Sequence, residues 1–471
     1  MQRSIFKIKK ELAEMKKIYK RKLVSAKVKT TKWKNSLTQE KKINSGRRRL
    51  IFKIKKEMAE MKKRHQDKDQ EIEKMKILSE QNQKLIEEND VYKQEIDGVK
   101  AKLSEVSEKL YKGEMDRRKL HNQILELKGN IRVFCRVRPL LPSDHAENLE
   151  HVQFPNDEKS ILLARTEESH SGRESKDQRK YKFNFDRVFP PRSSQQEVFQ
   201  EISLLVQSAL DGYNVCIFTY GQTGSGKTYT MEGPDPLDDT MGIIPRAVHQ
   251  VFNSAVELKD QGWKYTFTAS FLEIYNETIR DLLVDKTIKK EHKIKRPTSN
   301  AVHVTNRKYV NVETVEEVLS LIKIAKQNRA TACTRMNESS SRSHSVFQLK
   351  IEGLSKKGNI TSTLSLIDLA GSERINKSES RDRLKEKHAI NSSLSNLGCV
   401  FIALANKDTF VPYRNSKLTY LLQNCLGGNS KTLMIVNISP KSDSFGESLN
   451  SLRFASKVNE CVIGTAVANR T

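Results

Sequence analysis

Tryptophan, proline and cysteine are scarce in this sequence, and the few cysteines already exclude two kinds of framework. Of 471 residues, two are Trp, 11 are Pro and six are Cys. The cysteines (135, 216, 333, 399, 425 and 461) are scattered through the later part of the chain and none forms a CxxC pair. That spacing is neither a disulfide framework nor a cysteine zinc site, and it reads as reduced thiols of an intracellular protein. No run of about 18 apolar residues occurs, so no membrane-crossing helix is expected. The first ten residues, MQRSIFKIKK, carry charge without an apolar core, which is not the pattern of a secretory signal.

Acidic residues are scarce in one place only. Residues 1–66 hold 5 Asp+Glu against 24 Lys+Arg, a net +19, whereas the remaining 405 residues hold 53 against 60, a net +7. A solvated helix face normally alternates in sign, so this block calls for a partner. An acidic polymer, a membrane surface or a receptor for basic tracts would each serve. The hydrophobic fraction of 36% beside 30% charged residues is low for a wholly globular chain. It predicts one folded domain plus a long, charged helical part.

The basic block contains a repeat. Residues 5–17 (IFKIKKELAEMKK) recur at 51–63 with one change, Leu12 to Met58. Ile5, Ile8, Leu12 and Met15, like Ile51, Ile54, Met58 and Met61, alternate steps of three and four, the signature of a helix with one apolar stripe. Two readings stay open, a duplication within a coiled-coil arm or two copies of a basic docking helix. Residues 70–128 then carry heptads. One seam position falls on Met75, Asn82, Asn89, Ile96, Leu103, Leu110, Arg117 and Ile124, and the other on Leu78, Leu85, Tyr92, Val99, Val106, Gly113, Leu120 and Leu127. The two Asn favour a parallel dimer in one register, while Gly113 and Arg117 weaken the seam near its end. The repeat is out of phase with this array, which predicts a break near residues 65–72.

After Gly129 and Asn130 the pattern changes to short apolar runs alternating with amphipathic stretches. Strands are expected at 131–138, 214–220, 265–275, 345–351, 364–369 and 433–438. Helices are expected at 195–210, 242–258, 315–330, 390–405 and 415–425. This is an α/β domain with helices covering a central, mostly parallel mixed sheet. The charged, turn-rich segments 155–180 and 285–300 read as surface loops.

Three motifs carry chemistry. Gly221, Gln222, Thr223, Gly224, Ser225, Gly226, Lys227 and Thr228 match GxxxxGK[ST] after an expected strand. In such a loop backbone N–H groups surround phosphates, the lysine reaches the β- and γ-phosphates, and the threonine hydroxyl meets Mg²⁺. Downstream, an apolar run ends in Asp368 and continues Leu-Ala-Gly371-Ser-Glu373. A carboxylate there suits Mg²⁺, and the Gly371 N–H suits a γ-phosphate. Between the two lies Asn337–His344 (NESSSRSH), a polar loop of phosphate-sensing composition.

Taken in order, these motifs resemble the nucleotide site of the kinesin motor domain over about residues 131–465. Cys135–Pro139 (CRVRP) is similar to that family's adenine-side strand, and Tyr413–Thr419 (YRNSKLT) to its microtubule-facing loop and helix. The resemblance implies a microtubule-stimulated ATPase using ATP and Mg²⁺. Arg136, Arg138, Pro139 and Tyr229 would flank the adenine. Ser341 would approach Mg²⁺ and the γ-phosphate with Thr228 and Asp368. Arg342 and Glu373 would form a latch that helps place the attacking water, and Asn391 would help hold the water chain. Arg381, Arg383, Lys385, Lys387, Arg414 and Lys417 would face the acidic surface of tubulin.

The implied layout is a basic arm (1–69), a coiled-coil stalk and neck (70–128), a motor domain (129–465) and a short tail (466–471). A motor preceded by its neck resembles the C-terminal-motor class, kinesin-14, and its spindle-associated animal members. That class implies minus-end motion and a homodimer that crosslinks and slides microtubules, on the spindle cytoskeleton. The helix entry Lys385–His388 (KEKH) departs from the class pattern but keeps Glu386. For the basic arm, a second microtubule and an import receptor reading Ser45–Arg49, with a nuclear location, remain compatible. Phe6, Tyr19, Trp33 and Phe52 are too dispersed for a nucleic-acid stacking platform. A non-motile, ATP-regulated crosslinker is the alternative function.

Overall fold

The computed structural model of the chain describes residues 2–40, 47–128, 131–144, 151–168, 174–234, 239–259, 262–284, 291–296, 302–332, 341–355, 358–374, 381–426, 429–461 and 466–470. Residue contacts divide it into two units, Met1–Leu110 and Tyr111–Thr471.

The first unit is helical. It holds α1 (Gln2–Glu40), which contains neither Gly nor Pro, and the larger part of α2 (Arg47–Lys128). Tyr19 Oη donates to Glu71 Oε2 at 2.6 Å, which sets α1 beside α2. Along α1 the partly covered residues are Tyr19, Leu23, Ala26 and Thr30; along α2 they are Met58, Met61, His65, Lys68, Ile72, Met75, Ser79, Asn82 and Ile86. That second series keeps steps of three and four throughout, and α2 runs through 65–72 without interruption. The expected break is therefore absent. His65 and Lys68 hide the stripe in the sequence because they are polar, yet they occupy its face with their side-chain stems. Farther along, Ile96, Val99, Leu103, Val106 and Leu110 are exposed, Leu110 by 74%.

A nine-stranded mixed sheet organises the second unit. Its order is β11 (Val310–Val312), β7 (Lys264–Tyr275), β12 (His344–Ser355), β13 (Gly358–Asp368), β6 (Val215–Tyr220), β14 (Lys431–Ile438), β1 (Ile131–Val137) and β5 (Arg187–Phe189), with β8 (Thr278–Asp281) paired to β7. From β13 to β5 neighbours are parallel; from β11 to β13 they are antiparallel. The parallel strands are apolar on both faces, as burial between two helical layers requires. Leu433 and Ile435 of β14 enter the core under α3 (Gln195–Leu210), α5 (Ile243–Lys259) and α6 (Val315–Ala332). Met434, Val436 and Ile438 enter the opposite core under α7 (Arg381–Ala405), α8 (Lys417–Leu421), α9 (Gln423–Leu426) and α10 (Phe445–Asn459). The Ser194 side chain accepts from Glu197 N while Glu197 reaches back to Ser194 N, a capping box that starts α3.

Segment 155–180 is not a plain loop. It forms β3 (Ser160–Glu168) and the start of β4 (Glu174–Asn184), which with β2 (Val152–Gln153) make a three-stranded antiparallel sheet. Of segment 285–300, β9 (Ile294–Lys295) pairs with β10 (His303–Val304), while 285–290 and 297–300 lie outside the described residues. Helix α7 begins nine residues earlier than the apolar pattern suggests, at Arg381 rather than 390. Its part Lys385–Ala405 is apolar enough by composition to cross a membrane, but Ile390, Leu394, Leu397, Val400 and Phe401 are packed in the core. The chain's last described residues lie along β13, where Arg470 bridges Ile360 and Thr361 N donates to Asn469 O at 3.1 Å.

Candidate nucleotide site

The glycine-rich loop leaves the C-terminal end of β6 and runs into the short α4 (Lys227–Met231). Gly221, Gly224 and Gly226 all have positive φ, at 148°, 76° and 94°. A Cβ on Gly221 would collide with the carbonyl oxygen of Asn437, so the loop requires glycine there for close approach to β14. Around the exposed Gly224 nothing apart from its chain neighbours lies within 4 Å of where a Cβ would be.

Lys227 is buried, and its Nζ donates to Gln222 O at 2.9 Å. Burial lowers its pKa; the Asp368 and Glu373 carboxylates oppose that, and Arg329 adds to it. Thr228 Oγ1 donates to Asp368 Oδ2 at 2.7 Å, and Thr219 Oγ1 donates to Asp368 Oδ1 at 3.1 Å. Asp368 closes β13, the parallel neighbour of β6, which is why the carboxylate and the loop threonine meet. A hydroxyl and a carboxylate are hard oxygen donors, suited to Mg²⁺ that keeps phosphate and water ligands as well.

Behind this pair lies Arg329 of α6, which no motif marks. Its guanidinium is 3.7 Å from Asp368 Oδ2, 3.8 Å from Glu232 Oε1 and 3.8 Å from Glu273 Oε1. It also donates to Ser343 Oγ at 3.2 Å and to Ser343 O at 2.9 Å. Burial raises the pKa of Glu232, opposed by Arg329, with further contributions from Asp368 and Lys326. One guanidinium thus holds three carboxylates from three elements and fixes the end of the polar loop.

Of the polar loop, 337–340 lie outside the described residues. Ser341 O accepts from Gly371 N at 2.8 Å, so the two phosphate-sensing segments are joined through backbone. The Gly371 N–H expected to face a phosphate is engaged in that bond. The expected Arg342–Glu373 pair is not made either. Glu373 accepts from Thr223 N at 2.9 Å and from Thr223 Oγ1 at 2.7 Å, the donors nearest its carboxylate. Arg342 Nη1 instead donates to Glu386 Oε2 at 2.9 Å, because Glu386 in the second turn of α7 faces it. Asn391 Nδ2 donates to Glu373 O at 3.4 Å.

His344, noted in the sequence only as part of a loop, is a buried junction. Its Nδ1 accepts from Ala370 N at 3.0 Å, which assigns the proton to Nε2; Nε2 then donates to Ser393 Oγ at 2.8 Å. Burial first, then Arg329 and Lys227, lower its pKa from 6.5 to about 3, so the ring is neutral.

On the adenine side the structure separates the expected residues. Arg136 is buried, donating to Gln195 Oε1 at 2.7 Å and to Thr230 Oγ1 at 3.0 Å. Its guanidinium lies 5.6 Å from the Tyr229 ring. It therefore supports Tyr229 from beneath and has no free fork to offer a base. Arg138 Nε donates to Gly224 O at 2.8 Å, and Arg138 pairs with Asp144 at 2.5 Å. Pro139 and Tyr229 remain exposed.

The expected track-facing cations are divided by chain region. Arg414 is exposed, with its guanidinium 5.7 Å from the Tyr420 ring, and Lys417 opens α8 with its N–H donated to Glu277 Oε2 at 2.8 Å. Lys385 is exposed and Lys387 partly so on the first turns of α7; the side chains of Arg381 and Arg383 lie outside the described residues. At the other end of the unit, Lys431 at the start of β14 donates to Asn122 of α2 and, at 3.1 Å, to Ser208.

A phosphate loop after a parallel strand, with a carboxylate from the neighbouring strand on its threonine, defines a P-loop nucleotide-binding fold. Residues 136–461 match the family described as the kinesin motor domain, and the chain belongs to the kinesin family. It is 62% identical over 405 residues to "Carboxy-terminal kinesin 2" of Xenopus laevis, covering 84% of this chain and 63% of that protein. It is 56% identical over 380 residues to "Kinesin-like protein KIFC1" of Homo sapiens, covering 76% of this chain and 56% of that protein. The chain thus spans about three fifths of the animal relatives' length. A solved structure of the C-terminal motor and motor homology domain of Kar3Vik1 on a synthetic coiled coil is similar with TM-score 0.67 and 43% identity, over 81% of this chain and 98% of that one. The Kar3 motor domain of Saccharomyces cerevisiae gives TM-score 0.59 at 45% identity, over 70% of this chain and all of that one. These relatives agree with placement in the C-terminal-motor class.

Proposed function

We propose that this chain is an ATP-driven, minus-end-directed microtubule motor that crosslinks and slides microtubules on the spindle. The observation that carries the reading is the continuous linkage from the phosphate loop to the track-side helix. Thr223 holds Glu373, Glu373 O holds Asn391 of α7, and Arg342 holds Glu386 of the same helix. A change at the phosphate end therefore reaches α7 through direct contacts, the kind of two-state element that couples nucleotide to track affinity.

In this reading Lys227 and the loop N–H groups bind the phosphates of ATP, and Thr228, Asp368 and Ser341 supply oxygens to Mg²⁺. When bound there, Mg²⁺ would supply charge neutralisation for the phosphoryl group being transferred. Glu373, Arg342 and Asn391 position water for in-line attack once the polar loop closes, which requires Arg342 to exchange Glu386 for Glu373. Tyr229 and Pro139 cover the base. Arg414, Lys417, Lys385, Lys387, Arg381 and Arg383 meet acidic tubulin, so binding weakens with salt. The exposed stripe Ile96–Leu110 supports a homodimer seam, and the +19 arm supports a grip on a second microtubule.

The test is a gliding assay on polarity-marked microtubules. Minus-end-directed motion that requires ATP is expected. Tethering without displacement would leave an ATP-regulated crosslinker in its place.

A further inference from the structure

At the end of β6 opposite the phosphate loop lies a cavity of about 720 Å³ that the motor reading does not use. Asn214 and Val215, where β6 begins, line it together with Tyr413 and residues of β7, β12 and β13. Its charge is one-sided. Arg296, His303, Arg307 and Lys350 line it, and among the described residues that line it there is no aspartate or glutamate.

Arg307 is the unusual member. Its Nη1 donates to Gln348 Oε1 at 2.6 Å and its Nη2 to Ser270 Oγ, both neutral acceptors. Its Nε is buried with no hydrogen-bond partner. The carboxylate that acts on it, Asp281, already accepts from Leu283 N at 2.9 Å and from Lys308 N at 2.6 Å. Gln348 passes the network on by donating to Ser365 Oγ at 2.9 Å. A guanidinium withdrawn from water and held on neutral acceptors is costly unless an anion offsets it. Burial depresses its pKa, opposed by Tyr309, whose ring centroid lies 5.1 Å from the guanidinium, and by Asp281. Lys350 differs in being half exposed, and it pairs with Glu352 at 2.6 Å.

We propose that this cavity binds a small oxyanion, a molecule carrying phosphate or clustered carboxylate groups, with the partly buried Arg307 and the more exposed Lys350 and Arg296 as its cationic wall. The forked guanidinium suits such groups, since planar oxyanions accept from it in pairs. The site is separate from the nucleotide loop, and its test does not depend on motor activity.

The test is calorimetric titration of the full chain, saturated with Mg-ADP, with pyrophosphate in one arm and citrate in the other. Binding of pyrophosphate alone assigns a phosphate ester, binding of citrate alone assigns a polycarboxylate, and binding of both assigns oxyanions generally. Arg307→Met should weaken the binding by roughly tenfold or more, and Lys350→Gln by a smaller factor. Should Arg307→Met fail to fold, Lys350→Gln and Arg296→Gln carry the comparison. Two results would overturn the proposal: neither anion binds, or binding is unchanged in the variants.

Discussion

Arg342 donates to Glu386 across 2.9 Å, and both side chains are largely shielded, 18% and 15% exposed. That one contact joins the polar loop behind the phosphates to the helix expected to meet the track. A pair so placed is more than a solvated surface bridge, because shielding from water strengthens it.

Arg342→Ala and Glu386→Gln should each reduce microtubule stimulation of ATP turnover while leaving ADP affinity within about twofold. The double variant should fall little below the weaker single, with a coupling of about 1 kcal/mol. Fully additive losses in steady-state ATPase assays would show that the two side chains do not act together.

Thr228→Val and Asp368→Asn remove one oxygen donor each from the proposed Mg²⁺ position. Each should lower turnover roughly 100-fold and raise the Mg²⁺ concentration needed for tight nucleotide binding. Titrating Mg²⁺ against a fluorescent ADP analogue checks this, and an unshifted curve in both variants would count against the assignment.

Arg329→Met leaves Glu232, Glu273 and Asp368 without their common cation. Stability should drop by about 3–5 kcal/mol, as when one partner of a buried ion pair is removed. Arg329→Lys should lose less. Urea unfolding of both variants measures the difference, and equal losses would mean that packing, not charge, dominates.

His344 gives a pH dependence with a definite sign. In the unfolded chain its ring takes up a proton near 6.5, whereas the folded ring resists protonation to about 3. The folded state binds fewer protons between those values, so this contribution is complete above about pH 6.5. It is lost as pH falls, by about 1.4 kcal/mol per unit. His344→Gln should flatten that part of the slope when unfolding is compared from pH 7.5 to 4.5. Parallel slopes in the two proteins would exclude the ring as their source.

Asn122→Leu removes the acceptor that Lys431 reaches on α2. It should loosen the end of α2 from the motor core without changing nucleotide affinity. Faster amide hydrogen exchange at residues 111–124, with exchange in β14 unchanged, is the expected signature.

Some of this was readable in the sequence and some was not, for physical reasons. The phosphate loop and Asp368 were legible because backbone geometry demands those residue types at fixed spacing. The two helical layers followed from apolar period, and so did most strands. Strand β4 hides in the sequence although Tyr181 and Phe183 alternate with Lys180, Lys182 and Asn184, a period of two obscured by charge. Arg329 left no local trace, since its carboxylate partners come from the end of α4, β7 and β13, brought together only by the sheet. The partner of Arg342 depends on which carboxylate α7 presents, and no spacing rule contains that choice. Continuity of the α2 stripe was hidden where His65 and Lys68 stand on the covered face.

Strand β14 begins at Lys431, which holds Asn122, and reaches at Asn437 the carbonyl that admits only glycine at position 221. Its eight residues are buried throughout, and six steps between those two points span roughly 20 Å. One fully buried strand thus carries, at its two ends, both the hold on Asn122 and the wall against which the glycine-rich loop folds.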